Sequence, residues 1–327
     1  MIKVSIIMAT YNGARFIKKQ LFSLLLQTYA IDEVLIADDG SSDETVNIIM
    51  NFINTHQLNN WKIFINPVNK GWKRNFIDLI FKAHGDVIFY CDQDDIWFNN
   101  KVAEMIKIHI DNPLILCLAC HYQSIDQDDN NLNFTVDAKA KNTGNIIPID
   151  IDDKRFYYVP SGCTISFRKI ILRYMNPTFI DCGPDRILCR TAALLDGLFD
   201  CDITLMSHRF HDSNVSNDFT KVSCLHGSSS LELRLQYVKE NILHLKEFEI
   251  LITRINAHYK YHDKLKQLIV FEQLRLKLLK FGNVFVLIKL LTMCTFKYAY
   301  IMVITDFCYA IGINRLAGRL YNMIKHE

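Results

Sequence analysis

The sequence predicts an α/β protein, with a mostly parallel central sheet followed by a helical C-terminal region. Over the first 125 residues, short apolar runs rich in β-forming residues alternate with segments of helical spacing. The runs are apolar throughout rather than at every second position, which is typical of strands covered by helices on both faces. Repeated strand–helix–strand patterns of this kind predict βαβ units and parallel pairing.

Five apolar runs in the first part of the chain are predicted strands. They are KVSIIMAT (3–10), EVLIAD (33–38), WKIFIN (61–66), DVIFYC (86–91) and LILCLAC (114–120). Apolar residues recur at helical spacing between residues 16 and 25, and again between residues 48 and 52. These segments predict the helices that connect the first three strands.

The chain after residue 125 is less regular. Residues 126–154 are polar and lack periodicity, which predicts a long, mobile excursion that forms part of an acceptor-binding lid. Structure is expected to resume at 156–167, with a helix at about 185–196 and a strand at 203–211. A polar linker at 212–230 then leads to a C-terminal region with helical periodicity.

Net charge and cysteine usage indicate which kinds of binding partner and which cellular compartment to expect. The net charge is only +2, so bulk electrostatics do not indicate nucleic acid as a partner. The ten cysteines are scattered singly, and the first residues lack the pattern of a signal peptide. We therefore expect reduced thiols in a cytoplasmic protein.

The segment from Val284 to Ile313 is the part of the chain that comes nearest to a membrane span. Lys289, Lys297 and Asp306 interrupt it, so no charge-free run reaches the roughly 20 residues that a spanning helix needs. Two interpretations stay open: a pair of packed helices, or an interfacial helix lying against the inner face of the plasma membrane.

Polar residues follow each of the first four predicted strands. They form TYNG (10–13), DDGSSDET (38–45), NPVNKGWKRNF (66–76) and DQDD (92–95). Any one of these could simply begin a helix. Because ligands of open α/β sheets bind beyond the carboxyl ends of the strands, four polar ends at one edge predict a shared small-molecule site.

The segment DQDD admits two interpretations, a solvated turn or a divalent cation site. The chain has neither the dinucleotide-binding pattern G-x-G-x-x-G nor a P-loop, and it also lacks the G-x-S-x-G elbow of serine hydrolases. Phosphate groups would therefore need another source of positive charge. Mg²⁺ or Mn²⁺ binds through one or two carboxylates together with substrate phosphate oxygens, which suits Asp92 and Asp94.

These motifs, in this order and spacing, resemble family 2 glycosyltransferases with the GT-A nucleotide-sugar-binding fold. The version CDQDDIWFNNK resembles the rhamnosyltransferase-like branch of bacterial surface polysaccharide synthesis, including O-antigen. Downstream, SGCTISFRK and the segment from PDRI to HRFHDSNVSN are similar to the acceptor side of the family pattern. The resemblance implies a GT-A domain over 1–217 and a separate helical region over 218–327.

For the nucleotide-sugar donor, the resemblance implies a pocket at the first three strand ends. Asp39 would contact the nucleotide base, and Thr10, Tyr11 and Asn12 would line the same pocket. Arg74 would supply a basic contact to the nucleotide sugar.

For the metal and the reaction, the resemblance implies that Asp92 and Asp94 hold Mg²⁺ or Mn²⁺ through the diphosphate. Arg209 and His211 would close over the diphosphate or the metal, with His211 as a ligand. Asp95 stays open between a ligand and a helix cap. Asp185 would be the general base, with Asp181 as the alternative.

The chemistry accounts for these residue types. A metal and cationic side chains stabilise a departing diphosphate, and a carboxylate on the opposite face takes the proton of the acceptor hydroxyl. One base without a nucleophile predicts a single displacement with inversion. The family pattern H-D-W-W is PDRI here, so the aromatic pair that could stack on a sugar is missing.

The expected donor is a nucleoside diphosphate sugar, with L-rhamnose first and galactose, glucose or an N-acetylhexosamine as alternatives. The expected acceptor is a saccharide, lipid-linked, and peripheral membrane contact through the C-terminal helices would suit it. Two rival functions are a nucleotidyltransferase acting on sugar phosphates and a non-catalytic scaffold of the same fold.

Overall fold

The computed structural model describes residues 1–132, 140–150, 159–175, 183–212, 230–255, 260–294 and 297–313. The chain divides into two units, Met1–His211 and Asp212–Glu327. The predicted domain limit at residue 217 lies outside the described residues.

A mixed sheet with helices forms the first unit. Its nine strands have the order β3-β2-β1-β4-β8-β6-β9-β5, and β7 pairs with β9. The strands are β1 (Val4–Thr10), β2 (Glu33–Asp38), β3 (Trp61–Ile65), β4 (Val87–Cys91), β5 (Ile96–Trp97), β6 (Cys117–Ile125), β7 (Ile146–Pro148), β8 (Ile165–Arg168) and β9 (Leu198–Arg209). The helices are α1 (Ile17–Leu25), α2 (Thr45–Thr55), α3 (Trp72–Lys82), α4 (Lys101–Asp111) and α5 (Pro184–Leu194).

The strands β3, β2, β1 and β4 are parallel, and each connection between consecutive strands carries a helix. The side chains of β1, β2 and β4 are largely buried, as continuous apolar strands require, whereas β3 at the sheet edge is only partly buried. This confirms the predicted α/β fold class. Because Thr10 pairs with Asp38 and Met8 with Cys91, the polar residues after these strands meet at one edge of the sheet.

The other half of the sheet departs from the predicted strand limits. β6 runs to Ile125, five residues beyond its predicted end, and β9 begins at Leu198 rather than at residue 203. Ile96 and Trp97, which belong to none of the predicted strands, form the short strand β5 against β9. Apolar runs indicate strands, but pairing partners decide where each strand ends.

The predicted excursion at 126–154 contains a strand, so that prediction was wrong for Ile146–Pro148. This segment, β7, pairs antiparallel with β9. The Asp202 carboxylate also accepts hydrogen bonds from the backbone N–H groups of Lys141 (2.7 Å) and Thr143 (3.1 Å). Residues 140–148 are therefore fastened to the sheet edge, whereas 133–139 and 151–154 lie outside the described residues.

Helices make up the described part of the second unit. They are α6 (Leu231–Ile255), α7 (Lys260–Phe281), α8 (Val284–Met293) and α9 (Lys297–Ala310). Leu278, Leu290 and Val303 form a common core of α7, α8 and α9. The apolar segment 284–313 is thus a pair of packed helices. Among the described residues, no helix is long and apolar enough to cross a membrane.

Asp306, which interrupts the apolar pattern of the sequence, is a buried charge that joins three helices. Its Oδ1 accepts a hydrogen bond from Arg234 Nη1 at 2.7 Å, and its Oδ2 accepts one from Arg275 Nε at 2.8 Å. Arg275 Nη1 also donates to both carboxylate oxygens of Glu272, at 3.0 Å each. Two arginines and two carboxylates therefore balance one another inside the second unit.

The Asp306→Asn substitution is expected to destabilise the second unit by about 3–5 kcal/mol, because it leaves buried arginines without their full counter-charge. Denaturant unfolding followed by far-ultraviolet circular dichroism measures the change. Asp263→Asn is the matched control, since Asp263 is exposed on α7. Equal unfolding free energies for the two variants would contradict the structural role of the network.

Candidate active site

Hydrogen bonds join the ends of β1 and β2 and the turns that follow them. Thr10 Oγ1 donates a hydrogen bond to Asp38 Oδ2 at 2.9 Å, and both side chains are buried. Asp38 also accepts hydrogen bonds from the backbone N–H of Ser41 (2.8 Å) and from its hydroxyl (2.6 Å). Thr10, predicted to line the nucleotide pocket, is thus buried and holds the second turn through Asp38.

Tyr11 and Asn12 lie side by side in the first turn but have different roles. Asn12 has a φ of 47°, a backbone conformation that Asn tolerates better than most residues. Its Oδ1 accepts a hydrogen bond from the backbone N–H of Ser42 at 2.9 Å, so its side chain joins the two turns. The Tyr11 side chain is 48% exposed and is therefore accessible to a ligand at the sheet edge.

Asp39, the predicted base contact, holds the loop between β3 and α3. Its two carboxylate oxygens accept hydrogen bonds from the backbone N–H groups of Lys70 (2.9 Å) and Gly71 (2.8 Å). Gly71 has a φ of 82°, which favours glycine, and it directly precedes α3. The structure therefore shows Asp39 as the residue that positions the beginning of α3.

Arg74 lies in the first turn of α3, partly exposed. Its Nη2 is 2.9 Å from Asp78 Oδ1, one helical turn further on. The same Asp78 is 3.4 Å from Lys70 Nζ. The two cations are therefore gathered close to the loop that Asp39 fixes, which is compatible with the predicted basic contact to a nucleotide sugar.

The three aspartates after β4 have distinct environments. Asp95 is fully buried, and its Oδ1 accepts hydrogen bonds from His208 Nδ1 at 2.8 Å and from the backbone N–H of Arg209 at 3.1 Å. Although burial opposes a charged imidazole, the Asp95 carboxylate raises the pKa of His208 to about 9. Asp95 is therefore an internal partner of β9, and α4 begins only at Lys101, so the helix-cap interpretation of Asp95 was wrong.

Asp92 carries the least favourable charge of the three. Burial raises its pKa well above the ordinary value, and the negative charges of Asp95 and Asp94 raise it further. The charge of Asp185 acts in the same direction. A nearby cation would relieve this repulsion, as the sequence predicted for DQDD.

Asp94 and His211, both predicted metal ligands, lie in contact. Asp94 Oδ2 is 2.8 Å from His211 Nε2, and both side chains are mostly buried. The His211 ring packs against Phe16 with 4.7 Å between ring centroids, which orients the imidazole. Their oxygen and nitrogen donors are of types that suit a divalent cation such as Mn²⁺. Asp92 lies in the same turn, but the ligand atoms of Asp92, Asp94 and His211 do not all lie within 4.8 Å of one another.

A second group, formed by Asp95, Cys163 and His208, also has the donor types of a metal site, with its donor atoms within 4.8 Å of one another. However, burial raises the pKa of the Cys163 thiol well above its usual range. Lys101 Nζ also donates a hydrogen bond to the Cys163 carbonyl oxygen at 2.8 Å, which places a positive charge beside the group. Both features disfavour a cation at this group.

Arg209 lies next to the turn that carries Asp92 and Asp94, and its side chain is fully buried. Its Nε donates a hydrogen bond to the Asp94 carbonyl oxygen at 2.7 Å, and its Nη1 donates to the Asp126 carbonyl oxygen at 2.9 Å. Nη1 also forms an ion pair with Asp129 at 2.5 Å. The sequence predicted a contact with the donor, but in this structure Arg209 supports the backbone of Asp94 from below.

Asp185, the predicted base, lies in the first turn of α5. Burial raises its pKa, although the neighbouring Arg186 opposes the shift. A Cβ atom at Gly183 would lie 2.5 Å from Asp185 Oδ1, and one at Gly162 would lie 3.3 Å from Asp185 Cβ, so both glycines make room for this side chain. Asp181, the alternative base, lies outside the described residues.

Gln93 is a site residue that the sequence analysis missed. Its Oε1 accepts a hydrogen bond from the backbone N–H of Tyr11 at 2.9 Å, and its Nε2 donates to the Tyr11 carbonyl oxygen at 3.1 Å. A Cβ atom at Gly13 would lie 2.3 Å from Gln93 Oε1, so a larger residue at position 13 would displace the Gln93 amide. Gln93 thus ties the first turn to the turn that carries Asp92 and Asp94.

The Gln93→Ala substitution is expected to lower kcat/KM for a sugar donor about 10- to 30-fold, since two hydrogen bonds of about 1 kcal/mol each are lost. Most of the effect should appear in the donor KM, because Gln93 positions the turns without contacting the reacting atoms. Gly13→Ala should have a similar effect, because its methyl group displaces Gln93. If the two substitutions combined multiplicatively, the link between these turns would be disproved.

Comparison with known proteins covers most of the first unit. The sequence profile of the family described as Glycosyl transferase family 2 matches residues 5–175. An uncharacterised glycosyltransferase of Haemophilus influenzae is 30% identical over 136 residues, which are 42% of this chain and 53% of that protein. The chain thus matches about half the length of this curated relative.

Two relatives have named activities. The dTDP-rhamnosyl transferase RfbG of Shigella flexneri is 38% identical over 112 residues, 32% of this chain and 37% of that protein. The Escherichia coli enzyme WfgD, named UDP-Glc:alpha-D-GlcNAc-diphosphoundecaprenol beta-1,3-glucosyltransferase, is 36% identical over 109 residues, 33% of this chain and 42% of that protein.

Solved structures resemble the chain in fold. TarS of Staphylococcus aureus in complex with UDP aligns with a TM-score of 0.61 at 15% identity, covering 98% of this chain and 92% of that one. The mannosyltransferase PcManGT of Pyrobaculum calidifontis, in complex with GDP-Man and Mn²⁺, aligns with a TM-score of 0.53 at 14% identity, covering 100% of this chain and 88% of that one. At these identities the likeness shows a shared glycosyltransferase fold.

Proposed function

Because this chain belongs to glycosyl transferase family 2, we propose that it transfers a sugar from a nucleoside diphosphate donor to a saccharide acceptor, with inversion at the anomeric carbon. The family supports nucleotide-sugar chemistry, and the side chains around the ends of β1, β2 and β4 support the finer statement.

The proposal rests on one observation: two carboxylates with different surroundings, those of Asp94 and Asp185, lie near Asp92. The Asp94 carboxylate contacts His211 at 2.8 Å. Asp185 is near enough for its charge to raise the pKa of Asp92. A leaving diphosphate needs cationic compensation on one side, and an acceptor hydroxyl needs a base on the other.

Asp92, Asp94 and His211 would hold a divalent cation, Mg²⁺ or Mn²⁺. When bound, this ion would neutralise the charge that develops on the departing diphosphate. Arg209 and Gln93 would keep Asp94 and the Tyr11 turn in position, since both bind backbone atoms of these turns. The accessible ring of Tyr11 would cover the nucleotide base.

Asp185 would accept the proton of the acceptor hydroxyl. Burial raises the pKa of this carboxyl group, which makes the ionised carboxylate a stronger base than that of an exposed aspartate. With one such base and no second carboxylate required as a nucleophile, the sugar would pass directly to the acceptor. A direct transfer inverts the anomeric carbon.

The donor we propose first is dTDP-L-rhamnose, supported by the similarity to RfbG, with galactose, glucose and N-acetylhexosamine donors as alternatives. The acceptor we propose is a lipid-linked saccharide of a bacterial surface polysaccharide such as O-antigen, supported by the similarity to WfgD. Work at the inner face of the plasma membrane, with peripheral contact through the second unit, follows from such an acceptor.

The test is release of nucleoside diphosphate from a panel of nucleotide sugars, with Mn²⁺ or Mg²⁺ and with a chelator. We expect turnover of one donor that the chelator abolishes and that added Mn²⁺ restores. Release of pyrophosphate from a sugar phosphate and a nucleoside triphosphate would instead identify a nucleotidyltransferase. Donor binding without turnover in the presence of lipid-linked acceptor extracts would identify a non-catalytic scaffold.

A further inference from the structure

The turn between α7 and α8 exposes large apolar side chains. Phe281, the last residue of α7, is 76% exposed, and Phe285, in the first turn of α8, is 83% exposed. Val284 and Ile288 beside them are 53% and 55% exposed. We call these four residues the corner surface.

The turn that presents the corner surface is well formed. Gly282 has a φ of 57°, a conformation that glycine adopts without strain. Asn283 caps α8, because its side chain accepts hydrogen bonds from the backbone N–H groups of Phe285 (2.8 Å) and Val286 (3.3 Å). The exposed phenylalanines are therefore held in place by a capped helix.

α8 is apolar on opposite faces. Leu290 is buried, and Leu287 and Leu291 pack on the core that α8 shares with α7 and α9. Val284, Phe285 and Ile288 nevertheless face away from that core into solvent. A helix that is apolar all round is usually surrounded by apolar material, and contiguous exposed apolar patches mark interaction sites.

The charged residues of the segment that carries the corner surface have one sign. Lys277, Lys280 and Lys289 are all exposed in α7 and α8. Residues 273–305 contain no aspartate or glutamate. A second copy of the corner surface would bring these lysines against one another, whereas an anionic surface would complement them.

We propose that the corner surface docks on an anionic phospholipid bilayer. Phe281 and Phe285 would enter the boundary between headgroups and acyl chains, and the three lysines would contact the lipid phosphates. The inference deepens the proposed function, on which its biological purpose rests, because a lipid-linked acceptor lies at such a surface. Binding to the bilayer itself requires no sugar chemistry.

The experiment is co-flotation of the full chain with vesicles of phosphatidylglycerol and phosphatidylcholine, compared with vesicles of phosphatidylcholine alone, without nucleotide sugar. We expect binding to the anionic vesicles that weakens with added salt. The double substitution Phe281→Ser with Phe285→Ser should weaken it at least about tenfold, because two aromatic rings lose their burial. Lys280→Gln with Lys289→Gln should weaken it about fivefold per lysine.

The matched control is Ile250→Ser. Ile250 is 55% exposed on α6, but it lies beside Glu247 and Glu249 in sequence, so its replacement should leave vesicle binding unchanged. Circular dichroism checks that the variants keep their helices.

Three results would overturn the proposal. They are no flotation with anionic vesicles, flotation that survives the double phenylalanine substitution, and a concentration-dependent dimer that the same substitution abolishes, which would make a second copy the occupant. Turnover of donor with a free saccharide acceptor, assayed without vesicles, should be unchanged by the corner variants. A wild-type chain that floats with anionic vesicles but turns over no donor would contradict the proposed function alone.

Discussion

The Asp185→Asn variant is expected to lose about 10²- to 10⁴-fold in kcat, the range that a positioned general base contributes. Asparagine preserves the shape of the partly buried side chain beside Gly162 and Gly183 but cannot act as a general base. Because the donor site and the metal ligands are unchanged, the donor KM should change little. Steady-state release of nucleoside diphosphate in the presence of acceptor measures both constants.

The pH profile gives an independent check on Asp185. Burial raises its pKa, and only the ionised carboxylate can act as a base, so activity should fall as the pH drops through this raised pKa. The acidic limb should therefore lie above the value of about 3.9 expected for an exposed aspartate. Asp196→Asn is the matched control, since Asp196 is exposed just beyond the end of α5. A profile and kcat for Asp185→Asn equal to those of the control would remove Asp185 from the reaction and favour Asp181.

The Asp94→Asn variant is expected to lower kcat/KM by about 10²- to 10³-fold, because a metal-stabilised leaving group is worth several kcal/mol. The amide of asparagine keeps the side-chain volume next to His211 but supplies no negative charge. Binding of Mn²⁺ in the presence of nucleoside diphosphate, followed by electron paramagnetic resonance, should weaken in parallel. This second readout does not depend on turnover.

Two further variants are needed to interpret the Asp94 result: a substitution of the second proposed ligand and a control substitution. His211→Asn should weaken Mn²⁺ binding in the same direction, since its Nε2 lies 2.8 Å from Asp94 Oδ2. Asp111→Asn, an exposed substitution at the end of α4, should change neither binding nor turnover. Unaltered Mn²⁺ binding in both Asp94→Asn and His211→Asn would show that the cation, if any, is held elsewhere, with Asp95, Cys163 and His208 as the next set to replace.

Much of the parallel half of the sheet could be predicted because apolar runs and polar turns are local features of the sequence. The apolar runs that become β1, β2, β3 and β4 are bounded by polar turns, and in β1, β2 and β4 their continuity reflects burial on both faces. The placement of the polar turns at one edge also follows, because parallel strands end on the same side. For this reason the position of the candidate site was predictable before any distance was known.

The roles of individual side chains depended on long-range contacts. The sequence presents Asp92, Asp94 and Asp95 as three similar carboxylates, but only Asp95 is bound by His208 and by the backbone of Arg209, more than 100 residues away along the chain. In the same way, Arg209 is an internal support because the turn at Asp126 and Asp129 folds over it. Local patterns contain no information about such partners.

What the sequence by itself determined is the class of fold, the edge of the sheet where polar residues gather, and the residue types available for the chemistry. These properties follow from periodicity and from the ends of apolar runs. Only the tertiary structure decided that Gln93 links two turns, that Asp306 is a buried counter-ion rather than a break in an apolar segment, and that Phe281 and Phe285 remain in solvent. The physical reason is that burial and pairing are properties of neighbours in space, and those neighbours come from distant parts of the chain.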